Sequence, residues 1–291
     1  MELLPQLIVS GLSAGVLYAI TALGLVLIYK TSDVVNFAHG DMATIATFVA
    51  FTVAVRWRQP LIVAALGAVL FAALLGVVVQ FGLLRRIEHA PTISKIILTL
   101  GIGQIIFAVE GSIWGYDTYS FPQAWQGAPF EVAGLVVGRS DILIFAIAVV
   151  VMGVLAWFFR GTLAGVAMRA TAENMHAATL MGVNITRVLA LTWAVGVGLS
   201  AVAGILIAPQ NFLDQNFMFE ILIKGFAAAV LGGFTSLPGV VLGGLLLGVL
   251  ENLVGLYIAT EWKTAFAFGL IVVMLAIRPQ GLLGAELVKK V

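Results

Sequence analysis

Apolar runs long enough to cross a lipid bilayer recur along almost the whole chain, and this feature limits the possible folds more than any other. A membrane-spanning helix needs about 20 apolar residues. Long runs and a few shorter ones occupy residues 7–29, 42–55, 61–84, 96–109, 142–159, 188–208 and 264–277. Polar or charged residues separate them. The pattern predicts an all-α polytopic membrane protein.

One further apolar stretch, residues 221–256, is too long for a single crossing. Its middle reads GGFTSLPG at 232–239, a composition typical of a turn. We therefore expect two helices packed as a tight hairpin there. The total becomes about nine transmembrane helices, within a range of eight to ten, some of them short or re-entrant.

Composition excludes several other classes of protein. Charged residues make up 10% of the 291 residues and hydrophobic residues 62%, whereas soluble domains carry about 25% charged residues. The net charge of +1, with no basic stripe, argues against binding to nucleic acid. Because the chain has no cysteine, disulfides, thiolate metal sites and cysteine nucleophiles are excluded.

The distribution of Lys and Arg predicts the orientation in the membrane. One side of the predicted topology collects ten of the fifteen bases, namely Lys30, Arg85, Arg86, Lys95, Arg160, Arg169, Arg187, Arg278, Lys289 and Lys290. The other side collects Arg56, Arg58, Arg139 and Lys263. By the positive-inside rule the first side is cytoplasmic, which places the N-terminus outside and the C-terminus in the cytoplasm.

Two loops are long enough to fold on their own. The external loop, 111–140, is rich in aromatic residues, a composition more typical of an interfacial belt than of a ligand site. The cytoplasmic loop, 160–187, is too polar to insert into the bilayer but rich in helix-forming residues, and it predicts one or two short helices.

Motifs for catalysis and for cofactor binding are missing. The segment 24–31 approaches a phosphate-binding loop, but Tyr29 stands where the second glycine is required. The histidines His39, His89 and His176 lie in separate loops without the spacing of a metal site. We therefore predict no enzyme activity, no cofactor and no metal.

Polar residues within apolar runs are the remaining candidates for function. Placing a lysine such as Lys224 at the centre of a membrane helix costs roughly 2.5 to 3.5 kcal/mol of insertion free energy. It either extends to the membrane surface or serves a functional role, and Glu220, four residues earlier, is placed to pair with it. Glu251 and Asn252 likewise either extend to the membrane surface or serve a functional role.

The segment joining the first two runs is the second candidate. It contains Asn36, Phe37, His39 and Gly40 within six residues. One interpretation is a plain cytosolic turn in which only the backbone freedom of Gly40 matters. The other is a broken-helix element that lines a translocation pathway, where apolar contact beside hydrogen-bonding groups suits an amphiphilic amino acid. We favour the pathway.

Three segments, in order, resemble the permease family of branched-chain amino acid ABC importers, of the LivH type. They are GVLYAITALGL at 15–25 leading to VNFAHG at 35–40, RATAEN at 169–174 leading to LMGVN at 180–184, and KGFAAAVLGG at 224–233 leading to PG at 238–239. The resemblance covers nearly the whole chain. It implies an ABC importer permease fold formed by 1–291 as a single transmembrane domain.

The resemblance also implies partners. Permeases of this family work with ATP-binding subunits, a second permease subunit that is identical or similar, and an extracytoplasmic substrate-binding protein. A short coupling helix of the permease docks on the ATP-binding subunit. Its pattern is Glu-Ala-Ala, three residues and Gly; here His176, Ala177, Ala178 and Gly182 match it except that His replaces Glu, and Glu173 is the acidic residue available one turn earlier.

The function that follows is import of branched-chain or other neutral amino acids across a bacterial inner membrane. An importer of urea or amides from the same family is one alternative. From other classes, a self-contained secondary transporter or channel and a structural membrane subunit also remain, although the sequence shows few buried ionisable residues and no clear internal repeat.

Overall fold

The computed structural model describes residues 3–88, 90–125, 127–132 and 135–284, so His89, Lys289 and Lys290 lie outside the described residues. The α-helices within these ranges are α1 Leu3–Ser32, α2 His39–Phe51, α3 Leu61–Gly82, α4 Thr92–Trp114, α5 Arg139–Gly161, α6 Leu163–Glu173, α7 Met175–Leu180, α8 Ile185–Ile207, α9 Phe219–Gly232, α10 Leu237–Tyr257 and α11 Trp262–Ile277. A π-helix, Thr52–Arg56, extends α2, and a 3-10 helix, Leu84–Ile87, follows α3. A small antiparallel hairpin pairs β1 Phe130–Val132 with β2 Leu135–Val137.

Six of the described helices are long and apolar enough to span a membrane. They are Leu4–Ser32, Leu61–Ile87, Thr92–Trp114, Arg139–Gly161, Ile185–Ile207 and Leu237–Tyr257. The predicted mostly helical, membrane-spanning chain is confirmed. The apolar helices α2, α9 and α11 have only 13, 14 and 16 residues.

The structure differs from the sequence prediction at α4. The apolar run 96–109 predicts a short segment, but the helix has 23 residues and continues through Glu110 to Trp114. The apolar run ends before the first charged residue, Glu110, whereas the backbone hydrogen bonds of the helix continue past it. The predicted hairpin in 221–256 is confirmed, since α9 ends at Gly232 and α10 begins at Leu237.

The chain divides into two compact units. Unit 1 comprises Met1–Val26, Gln123–Ala148 and Phe219–Val291, and unit 2 comprises Leu27–Pro122 and Val149–Met218. Unit 1 is held by close helix packing at glycines. A Cβ atom on Gly15 would lie 2.7 Å from the carbonyl oxygen of Gly244, so α1 and α10 touch backbone to backbone.

Unit 2 is organised around α8, which packs against α2 and α3. Trp193 of α8 is fully buried, and a Cβ atom on Gly76 of α3 would lie 2.8 Å from the Trp193 carbonyl carbon. The opposite face of α3 is exposed at every fourth residue, namely Ile62, Leu66, Leu70, Leu74 and Val78. Such a stripe is typical of a helix that faces lipid tails.

Candidate functional site

Asn36 forms the turn that leads into α2. Its side chain is fully buried, and its Oδ1 accepts a hydrogen bond from the Ala38 amide at 3.1 Å. The carbonyl oxygen of Asn36 accepts another from the His39 amide at 3.3 Å. These bonds form the local turn for which Asn is favoured, so Asn36 has a clear structural role in this segment.

The other candidates in this segment have different surroundings. His39 begins α2, is fully buried, and its ring shares a hydrogen bond with the Ser200 hydroxyl of α8. Gly40 is buried in the first helical turn of α2, so positive-φ freedom is not what selects glycine there. The Phe37 side chain is 41% exposed. Of the four predicted residues, Phe37 is therefore the one whose side chain is exposed in this conformation.

Lys224 lies in a charge cluster within unit 1. Its Nζ is 2.8 Å from Glu220 Oε1 and 2.7 Å from Glu251 Oε1, and it lies 5.5 Å from the centre of the Tyr18 ring. The lysine side chain is 9% exposed, so it does not extend into water. The predicted pairing with Glu220 is confirmed.

The pairing between Lys224 and Glu251 was not predicted from the sequence. A usable signal existed, because Glu251 is the one charged residue of α10 and Lys224 is the one base of α9. A base on one apolar helix and an acid on the adjacent one favour a contact between the two helices, since each charge needs a partner in lipid.

The segment 160–187 folds into the two short helices α6 and α7, as predicted. Thr162 caps α6 by accepting a hydrogen bond from the Gly165 amide at 3.0 Å. Met168 of α6 packs with Leu27 and Val188 in a buried hydrophobic cluster. This packing anchors α6 firmly to the helices around it.

Helix α7 is closed at both ends by its own sequence. The Asn174 Oδ1 accepts a hydrogen bond from the Ala177 amide at 2.9 Å, a typical N-cap. At the other end, the Gly182 amide donates to Thr179 and the Val183 amide donates to Ala178, both at 3.0 Å. With a φ of 83° at Gly182 this is a Schellman motif, which ends α7.

The pair α6 and α7 presents apolar side chains outward. Leu163, Leu180 and Met181 are 91%, 76% and 84% exposed. Ala178 is buried, whereas Glu173, His176 and Ala177 are exposed. We call the exposed set formed by Leu163, Ala177, Leu180 and Met181 the α7 surface. Small and apolar exposed groups beside a rigid turn can bind another protein.

A buried acid in unit 2 was missed by the sequence analysis. Glu110 of α4 is fully buried, and Asp41 lies in the first turn of α2. The Asp41 carboxylate fills the space beside Gly103, where a Cβ atom would collide with it. Glu110 was missed because the apolar run ends one residue before it.

Metal chemistry has no site in the part of the chain that the structure describes. No group of three or more His, Asp or Glu side chains there is placed to hold a metal ion. The described residues instead form a polytopic membrane protein with an exposed helix pair, a buried charge cluster around Lys224 and a buried acid at Glu110.

Comparison with known proteins identifies the family. A model of the family "Branched-chain amino acid transport system / permease component" matches residues 7–275, so the chain belongs to that family. The chain is 34% identical to the high-affinity branched-chain amino acid transport system permease protein BraD of Pseudomonas aeruginosa, over 98% of this chain and 97% of the relative. It is 30% identical to the corresponding LivH protein of Escherichia coli strain K12, with the same coverage.

A solved structure shares the fold. PsaBC from Streptococcus pneumoniae, determined in complex with Fab, superposes with a TM-score of 0.52 over 93% of this chain and 91% of that chain. The sequence identity is 14%, so this likeness concerns the fold alone.

Proposed function

We propose that the chain is the membrane-spanning permease subunit of an ABC importer that carries branched-chain or other neutral amino acids. Membership of the permease family and the match to BraD and LivH along nearly the whole chain support this proposal. An extracytoplasmic binding protein delivers the substrate, a second permease subunit completes the pathway, and ATP is hydrolysed on separate subunits. The permease itself is not an enzyme. The relatives named as permeases do not favour a self-contained transporter or channel.

The exposed α7 surface carries the proposal for coupling to the ATP-binding subunit. Leu163, Leu180 and Met181 would be costly to leave in water in the cytoplasm, and a docked partner would cover them. Ala177 belongs to this surface, and the exposed residues Glu173 and His176 extend it. Two further residues, Ala178 and Gly182, support it. Ala178 acts from within, since it is buried, and Gly182 by ending the helix.

Substitution of Ala177 tests the coupling. Ala177 is exposed at the third position of α7, so A177W should fold and insert into the membrane normally. Its bulk should prevent docking and remove the ATPase activity that the loaded binding protein stimulates. A177S is the matched control and should keep that activity. Wild-type stimulation in A177W would exclude α7 as the coupling helix.

Gly182 gives a second, independent test of the same surface. Its left-handed backbone is tolerated by Asn but strained for a β-branched residue. G182N should therefore preserve coupling, while G182V should weaken it by distorting the turn. Equal activity of the two variants would show that the shape of this turn does not matter for transport.

We propose that 1–291 forms a single transmembrane permease domain that crosses the bacterial inner membrane about nine times. The short helices α2, α9 and α11 then count as partial or tilted crossings. The N-terminus lies outside, the loop 111–140 is external, and the loop 160–187 and the C-terminus are cytoplasmic. A reporter inserted after Gly182 should be cytoplasmic and one inserted after Tyr116 external. Reversed results at both positions would overturn this topology.

For the pathway we propose Phe37 as the residue that contacts substrate, with Asn36, His39 and Gly40 holding the segment in place. Phe37 is partly exposed, whereas the other three are buried. In the assembled complex, F37C should react with a thiol reagent and be protected by loaded binding protein with nucleotide. The chain has no other cysteine, so the label reports this position alone. Unchanged labelling with full transport would contradict the pathway role.

Lys224 is the other proposed pathway residue. Its ammonium group is shared by Glu220 and Glu251, so it would act through the cluster rather than as a free charge. K224R keeps the charge but changes the shape of the donor group. Transport by an assembled K224R complex should fall, and normal transport would assign the cluster a purely structural role.

A further inference from the structure

The two buried carboxyl groups in the described part of the chain differ in one respect. Glu251 has a lysine beside it, at 2.7 Å. Glu110 is buried just as deeply, but neither of its carboxyl oxygens has a hydrogen-bond partner among the described residues. It lies inside α4, one of the six candidate membrane spans.

No cation lies close to Glu110 on the elements packed against α4. Helix α2 contributes Asp41, which is another acid and lies beside Gly103, about two helical turns before Glu110. The 3-10 helix carries Arg85 and Arg86, but it contacts the opposite end of α4. On α4 itself the base is Lys95, four turns earlier and thus about 22 Å away along the helix.

The buried residues one turn before and one turn after Glu110 on α4 are apolar or aromatic. They are Ile106 and Trp114. Trp114 stacks on Phe48 of α2 with ring centres 5.1 Å apart, and its Nε1 donates a hydrogen bond to Thr52 at 2.8 Å. The environment therefore offers little solvation for a negative charge.

We propose that Glu110 is a proton-binding site in unit 2 and is held as the neutral carboxylic acid. An isolated buried carboxylate is far less favourable than a buried neutral acid. Asp41, by contrast, is only partly buried. The ligand of the site is a single proton, and the inference does not depend on the proposed transport function.

Infrared spectroscopy of the full chain in lipid nanodiscs tests this directly. A protonated carboxyl group in an apolar site has a carbonyl stretching band that ionised carboxylates lack. The wild type at neutral pH should show this band, and E110Q should lose it. E251Q is the matched control and should retain the band, because Glu251 is paired with Lys224. D41N should also retain it, since the proton resides on Glu110.

Each outcome decides the proposal. Absence of the band in the wild type, or its loss in D41N but not in E110Q, would overturn it. If E110Q did not fold, the wild-type chain would still test the proposal. All its glutamates would be labelled with ¹³C at the side-chain carboxyl carbon, and the same band would be recorded. The band should then shift to lower frequency, and an unshifted band would assign the proton to an aspartate and refute the site.

Discussion

Glu251 in unit 1 and Glu110 in unit 2 are both buried in apolar helices, yet their surroundings differ. Glu251 contacts the ammonium group of Lys224, and Lys224 also contacts Glu220. Glu110 has no hydrogen-bond partner among the described residues, and the buried residues one turn before and after it on α4 are Ile106 and Trp114. The cluster in unit 1 contains its own counter-charge, whereas Glu110 has none among the described residues.

This difference shows two ways in which a membrane helix accommodates an acid. A lysine on a neighbouring helix allows the acid to remain charged, at the cost of removing both groups from water. Without such a partner, neutralisation by a proton removes the charge itself. The first arrangement depends strongly on its partner residue, and the second does not. Four substitutions test this contrast.

Removal of the lysine should have the largest effect. K224M leaves Glu251 buried without a cation, and breaking a buried pair in this way costs about 3–5 kcal/mol. Unfolding in mixed micelles with increasing SDS measures the loss. The double variant K224M/E251L removes both charges and should regain most of the stability. A K224M protein as stable as the wild type would show that the pair contributes nothing.

Neutralisation of the acid should cost less than removal of the base. E251Q should lose about 1–2 kcal/mol, because Lys224 then donates to a neutral amide oxygen instead of a carboxylate and keeps Glu220 at 2.8 Å. E220Q is the control: Glu220 is mostly exposed, and the same substitution there should cost about 0–1 kcal/mol. Equal losses in the same unfolding assay would contradict the importance of burial.

Crowding of Asp41 in unit 2 should have a smaller effect. The Cβ atom in G103A would meet the Asp41 carboxylate, a side chain that can move, so we expect a loss of about 1 kcal/mol. Gly101 on the same helix has no atom within 4 Å of its added Cβ. G101A should therefore stabilise the helix by about 0.5–1 kcal/mol. If both variants stabilise the protein equally, Asp41 does not occupy that space.

The smallest effect is expected for E110Q. If Glu110 is already neutral, the amide replaces a group of the same size and similar polarity, and stability should change by less than about 0.5 kcal/mol. The comparison with E251Q in the same assay is the informative one. A loss in E110Q as large as that in E251Q would show that Glu110 is charged and has a partner in the folded protein.

The sequence alone was sufficient for the class of protein and for most of the helices. The apolar runs predicted α1, α3, α5 and α8, and the GGFTSLPG segment predicted the turn between α9 and α10. The ends of α7 are also determined by local sequence, because Asn174 and Gly182 terminate the helix through hydrogen bonds between residues close in the chain. Hydropathy and capping act over short stretches of chain, so one sequence reveals them.

The tertiary structure decided which polar groups meet. Lys224 and Glu251 lie 27 positions apart and His39 and Ser200 lie 161 apart, so their contacts depend on how the helices pack. The burial of Glu110 likewise depends on the packing of α4, whereas in the sequence this acid only ends an apolar run. A charge in an apolar helix is visible in the sequence, but its partner is determined by the neighbouring helices, because only packing brings distant residues within a few ångströms.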